Sequence, residues 1–232
     1  MKKKQSLIKV MMLVMMLVVC MSVPAEAATL RSGTYTYSTK TRGRFGKEKT
    51  TIYKQRSGGK KQKLTTVSGR IYDLHYVYGN KLYYTRFYGD SAPSPFDVET
   101  LNLKNNKRAK LVSNLQIIGH RGRYAMIMPA NDLDVQPLYI IDVKTKKTKW
   151  IAGNVLYGAS NIMKNGKIYY LHCDKLNYGS GKSKYSVYSC NKNGSGKKRL
   201  RTFYSKATNI KKITDNYVVV GAYGMKNEKY YY

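Results

Sequence analysis

Acidic residues are scarce in this chain. Twelve Asp and Glu stand against 43 Lys and Arg, for a formal net charge of +31 over 232 residues. A chain so poor in carboxylates has little with which to build paired acid–base sites or calcium loops. Asp132 and Asp134 are spaced to share a cation, but without Gly and Glu partners they read as a solvated loop. Histidines are few and isolated, at 75, 120 and 172, with no metal-ligand spacing. No Ser-His-Asp set, paired-carboxylate motif or phosphate loop is present. These absences point away from an enzyme, a metal site or a bound cofactor. Cysteine is too rare for a disulfide framework, with Cys173 and Cys190 alone beyond the leader. Tryptophan occurs once, at Trp150, and no helical period appears after residue 27.

The amino terminus reads as a separate element. Lys2, Lys3 and Lys4 precede an apolar run from Val10 to Val23, and Ala25-Glu26-Ala27 follows as a cleavage pattern. That order is a secretory signal peptide, residues 1–27. The run is shorter than the roughly 20 residues that span a bilayer, which favours cleavage over a membrane anchor. Removing the leader leaves a net charge of +28, since it carries four Lys and one Glu.

What is abundant is tyrosine, and it is periodic. Gly79-Asn80-Lys81-Leu82-Tyr83-Tyr84 is echoed by Asn165-Gly166-Lys167-Ile168-Tyr169-Tyr170. Weaker copies begin near Tyr35, Tyr124 and Tyr217, so the steps are 48, 41, 45 and 48 residues. A period in the forties with several short strands per unit marks propeller blades. Each unit reads as a four-stranded antiparallel meander whose innermost strand carries the Tyr pair. A polar loop follows, such as 89–95, then a second strand and a Lys-rich tight turn. Those turns are Arg56–Lys60, Lys104–Lys107, Lys144–Lys147 and Asn191–Gly196. Third strands close on Lys63-Leu64, Lys110-Leu111, Trp150-Ile151 or Arg199-Leu200, and a fourth leads to the next Tyr pair. Residues 28–232 therefore read as an all-β propeller of about four and a half blades, with a truncated fifth. Inner strands alternate between blade interfaces, which places one ring of most Tyr pairs in packing. Cys190 should face a residue near Ile168, too far along the strand from Cys173 for a bridge, which needs Cα atoms within about 7 Å.

These units resemble the YWTD-type propeller repeats of low-density-lipoprotein-receptor-like proteins. They are more similar still to bacterial relatives, domains of unknown function in secreted Gram-positive proteins. Tyr83-Tyr84-Thr85-Arg86 stands where Tyr-Trp-Thr-Asp would stand, and Val187–Lys198 resembles the strand and basic turn of that repeat. The resemblance implies a propeller that binds or scaffolds. Arg86 and Asn193 replace acids of the pattern, so contacts made by those acids do not carry over.

Function must then follow from charge. A strongly basic exported chain is drawn to polyanions. Outside a Gram-positive cell these are teichoic acids, with anionic lipid headgroups as a membrane-surface alternative; a protein partner is also compatible. The candidate contacts are Lys60, Lys61, Lys104, Lys107, Lys144, Lys146, Lys147, Lys192, Lys197 and Lys198, all on second-to-third strand turns. The opposite loops carry Asp90, Asp97, Asp132, Asp134 and Asp174, although Arg42, Arg44, Lys47 and Lys49 break that polarity. Two alternatives stay open. One is a glycan-active or other extracellular enzyme with its site beyond residue 232. The other is a nucleic-acid binder, which the leader makes secondary.

Overall fold

Val, Ile, Thr and Tyr crowd short segments between Gly- and Asn-bearing turns, and those segments are strands. The computed structural model describes residues 28–232 except 45, 88–95, 130–133, 158–160, 163–164, 178, 180, 223 and 225. The leader, the loop 89–95, Asp90 and Asp132 lie outside the described residues. Among the described residues there is no helix.

The strands follow one another as antiparallel meanders. The first group is β1 (Thr29–Ser32), β2 (Tyr35–Arg42), β3 (Lys49–Arg56) and β4 (Gln62–Ser68). The second is β5 (Arg70–Tyr78), β6 (Lys81–Phe87), β7 (Phe96–Asn102) and β8 (Arg108–Ser113). The third is β9 (Leu115–Arg121), β10 (Tyr124–Pro129), β11 (Val135–Asp142) and β12 (Lys147–Leu156). The fourth is β13 (Asn161–Ile162), β14 (Lys167–Lys175), β15 (Ser183–Asn191) and β16 (Lys198–Ser205). A three-stranded group ends the chain: β17 (Asn209–Ile213), β18 (Tyr217–Gly221) and β19 (Glu228–Tyr231). Val155 pairs with His172, so the third and fourth groups join as one eight-stranded sheet rather than two separate sheets.

The first Tyr-bearing strand, expected to be the innermost of its unit, is preceded by a strand at Thr29–Ser32 that pairs with it. The Tyr pairs also sit on the second strand of each group, not the innermost. The first strands β1, β5 and β9 pack against one another in succession, and β13 packs on β9, so they are the convergent inner edge. What reads in sequence as a fourth strand, such as Leu115–Ile118, opens the next group instead.

Four cores fill the spaces between consecutive groups. Ile52, Leu64, Leu74, Leu82 and Tyr84 lie between the first and second, and Tyr83, Val98, Ile117 and Ile127 between the second and third. Met126, Leu138, Ile168 and Tyr170 lie between the third and fourth, and Tyr169, Leu171, Val187 and Val218 between the fourth and fifth. A strand flanked on both faces must bury both sets of alternating side chains. Both rings of a Tyr pair are therefore packed, one in each neighbouring core, where one ring was expected.

The cysteine register is as expected. Cys190 pairs with Ile168, Cys173 pairs with Tyr185, and both thiols are free and buried.

Candidate functional site

The four-stranded groups each close at one end with two turns. The first joins strands one and two; the second, rich in lysine, joins strands three and four. Backbone hydrogen bonds tie them together. The Ser57 amide donates to the Thr34 carbonyl at 3.3 Å, Leu103 to Asn80 at 2.9 Å, and Val143 to Arg123 at 2.9 Å. In the fourth group, Lys167 pairs with Asn191, which places the Asn191–Lys197 turn beside Asn165-Gly166. Local chemistry builds these turns. The Asn102 and Asp142 side chains accept the Lys104 and Lys144 amides at 2.9 and 3.1 Å, and Asn106, Lys146 and Gly194 take φ of 56°, 59° and 77°. Lys146 holds that left-handed conformation without being glycine, at a cost in strain.

All ten candidate lysines are exposed. The fold distributes them along one end of the stacked groups rather than gathering them at a single point. Lys60 and Lys61 stay with the first group, where the Lys61 ammonium sits 4.5 Å from the Tyr53 ring centre. The fourth group reaches onto the third: Lys197 lies 4.6 Å from the ring of Trp150, and Lys192 lies 4.7 Å from that of Tyr124. Such contacts orient a cation without neutralising it.

Carboxylates at this end are few. Asp142 is held by Arg123 at 2.5 Å. Partial burial pushes its carboxyl up, but hydrogen bonds from the Lys144 amide and Arg123 outweigh that and hold it below the ordinary range. Glu48, Asp73, Asp97, Asp134, Asp174 and Glu228 lie toward the other end of their groups. Asp97 is corrected from a loop acid to a buried one. It has no exposed surface in β7, with the Lys110 ammonium 2.7 Å and an Arg86 nitrogen 3.8 Å away. Glu99 beside it accepts from the Tyr84 hydroxyl at 2.7 Å and Arg86 Nε at 2.8 Å. This network seams the second group to the first, since the Arg86 guanidinium also donates to the Ser68 carbonyl.

One constellation escaped the sequence reading. Thr85 Oγ1 is 2.7 Å from His75 Nε2, and His75 Nδ1 is 3.4 Å from Asp73. The order hydroxyl–imidazole–carboxylate is that of a nucleophile and its base. Thr85, however, has no exposed surface, so no substrate reaches its hydroxyl. Burial pushes the His75 imidazole down to about 3, with His120 adding to the effect, so it stays neutral. The arrangement satisfies buried polar groups. His172, Asp174 and Ser186 form a chain in a different order, imidazole–carboxylate–hydroxyl, with Asp174 accepting from Ser186 at 2.6 Å, and Ser186 is likewise buried. Among the described residues no cluster of three or more His, Cys, Asp or Glu could hold a metal ion.

No family model matches the chain, and the search of curated proteins returns no match. Solved structures do match. The β-propeller domain of the trilobed protease from Pyrococcus furiosus, with an open velcro topology, superposes at a TM-score of 0.58 and 11% identity, covering 91% of this chain and 69% of that one. The acylaminoacyl peptidase of Pyrococcus horikoshii gives 0.56 at 11% identity, covering 89% of this chain and 38% of the peptidase. The tricorn protease gives 0.56 at 14% identity, covering 86% of this chain and 24% of that one. The chain thus spans well under half of the last two proteins. At such identities the likeness concerns fold alone. The protein is all-β and propeller-like.

Proposed function

We propose that this protein is an exported, non-catalytic propeller whose lysine-rich end holds an anionic polymer of the cell envelope. In this reading the strand groups are successive blades, four of them complete and a fifth partial, and residues 1–27 direct export. The family reading, YWTD-like repeats of secreted bacterial proteins, rests on the Tyr-pair motif and the basic turns.

The observation that carries the proposal is the co-location of the turns. Ten exposed lysines share the end at which Asp142 is pinned to Arg123. Single exposed charge contacts are weak and screened by salt over about 8–10 Å, so adhesion would come from many together. The inaccessibility of Thr85 and Ser186 supports a binding rather than a catalytic role.

The test is retention on purified Gram-positive cell walls. Replacing Lys104, Lys107, Lys144, Lys146 and Lys147 with Gln should release the protein at moderate salt while the parent remains bound. Unchanged retention, or equal loss from substituting Arg42, Arg44, Lys47 and Lys49, would overturn the proposal. Binding that survives high salt with a base preference would favour nucleic acid instead.

A further inference from the structure

The lysine-rich end is not uniform. Between the third and fourth groups it opens into a cavity of about 340 Å³ lined by Tyr124, Asn165, Gly166, Asn191, Lys192 and Asn193. Ligand sites run from about 300 to 1,000 Å³, so this one has room for a single small unit. Asn165-Gly166 and Asn191-Lys192-Asn193 form its walls. Gly166 has no side chain, and nothing lies within 4 Å of where its Cβ would stand, so that wall is open; its φ of 77° favours glycine there.

The polar groups are held in place. Asn165 Oδ1 accepts the Lys167 amide at 3.0 Å, and Asn191 Nδ2 donates to Ser195 Oγ at 3.1 Å. Asn193 Oδ1 accepts both the amide and the hydroxyl of Ser195, at 3.0 and 2.7 Å. Among the described residues the Asn193 amide nitrogen is left as a donor and Asn191 Oδ1 as an acceptor. Amides of this kind match the vicinal hydroxyls of a polyol, which both donate and accept.

Charge enters from one residue. Arg123 stands 5.1 Å from the Tyr124 ring centre, but its guanidinium is committed to Asp142. Lys192 stands over the same ring and forms no ion pair among the described residues. A compact ammonium beside amide donors suits a phosphate oxygen.

We infer that this cleft is a subsite for a phosphate ester of a small polyol, with Lys192 on the phosphate and Asn191 and Asn193 on the hydroxyls. The inference rests on the polyanion reading and deepens it: the rim holds a chain by bulk charge, whereas the cleft recognises one repeating unit. A free polyol phosphate shares that chemistry.

The probe is glycerol 1-phosphate, titrated into the 15N-labelled full chain at fixed ionic strength, with poly(glycerol phosphate) as a second arm. Saturable shifts confined to the amides of 165–167 and 191–195 are expected. Lys192→Gln should weaken binding about tenfold, equivalent to ~1.4 kcal/mol. Lys104→Gln, an equal loss of charge on another turn, should leave it unchanged. In the five-lysine rim variant, tighter binding of the polymer than of the monomer at the cleft amides identifies a polymer unit; equal binding identifies the free ester. Absence of saturable shifts, or equal weakening by Lys104→Gln, would overturn the subsite. Wall retention separates the two readings. If the parent sticks to walls in a salt-sensitive way but ignores glycerol 1-phosphate, only the subsite fails. If the monoester binds at the cleft but the five-lysine variant still holds walls, only the rim fails.

Discussion

Tyr83 and Tyr84 are neighbours in sequence and belong to different cores. The Tyr84 ring is fully buried with Ile52 and Leu82 between the first and second groups, and its hydroxyl donates to Glu99 at 2.7 Å. Tyr83 points the other way and stacks on Tyr76 with ring centres 4.6 Å apart, and Tyr76 stacks in turn on His120 at 4.0 Å. One dipeptide thus fastens three successive groups. Burial, with the nearby Glu99 carboxylate, pushes the Tyr84 phenol far above its ordinary range, so it stays a donor at any physiological pH.

Truncation at this pair should be costly on either side. Tyr83→Ala is expected to lower stability by about 3–5 kcal/mol through the cavity it leaves. Tyr84→Phe keeps the ring and removes one hydrogen bond to a charged acceptor, for a loss of about 1–3 kcal/mol. Urea melts should order the variants in that sense; Tyr84→Phe as damaging as Tyr83→Ala would mean the Glu99 network carries more than packing does.

The thiols should be inert. Burial pushes Cys190 up to about 11, and it pushes Cys173 up as well. A thiol-specific reagent should label neither in the folded protein and both in denaturant. Mass analysis after air oxidation should find Cys173 and Cys190 both free, because the register places Ile168, not Cys173, opposite Cys190. A bridged species in folded material would contradict that register.

How much of this was legible follows from what each signal depends on. The Tyr period, the Asn- and Gly-bearing turns and the cysteine register are local, and they survive folding intact. The inner strands carry no repeated dipeptide, and sequence alone places them in the wrong group. In β5 the buried residues are Ile71, Leu74 and Tyr76, and register shifts between Ile71 and Asp73 and between Leu74 and Tyr76 break the two-residue alternation. A bulged strand loses the pattern by which strands are recognised. The Asp73–His75–Thr85 chain depends on those same shifts, so spacing alone could not reveal it. Asp97 reads in sequence as a loop acid, because burial of a carboxylate depends on Lys110, thirteen residues away and across a strand pair. The cleft at Lys192 joins turns of one group to Tyr124 of another, a relation no single repeat unit displays.

Gly194 offers a test of the contact between groups. Its φ is 77°, and a Cβ there would sit 3.1 Å from the Ile151 Cδ1 of the preceding group. Gly194→Ala therefore combines left-handed strain with crowding, and a loss of about 1–2 kcal/mol is expected. Gly58, at φ 71° with open space around its Cβ, should cost only the strain, about 1 kcal/mol for Gly58→Ala. Equal melting shifts for the two would show that the Ile151 contact yields freely.

His75 should give stability a specific dependence on acid. Its imidazole is buried, hydrogen-bonded to Thr85, and lowered to about 3 chiefly by loss of solvation. The Asp73 carboxylate at 3.4 Å acts in the opposite direction but is half exposed, and it does not prevail. Unfolded, the ring titrates near 6.5. Above that pH neither state is protonated at this site, and the contribution to stability is complete. As pH falls from about 6.5 toward 3, the unfolded state takes up a proton that the native state refuses, and stability declines at up to ~1.4 kcal/mol per pH unit. His75→Asn, which keeps a polar partner for Thr85 but cannot titrate, should start from a lower stability at pH 7.5 and decline less steeply toward pH 4. Comparing the pH slopes of the two proteins, at equal ionic strength and by urea midpoints with unchanged m-values, isolates the histidine from the remaining carboxylates. Parallel slopes would mean that the native protein takes up the proton at His75 after all, with the ring opening toward Asp73 and water.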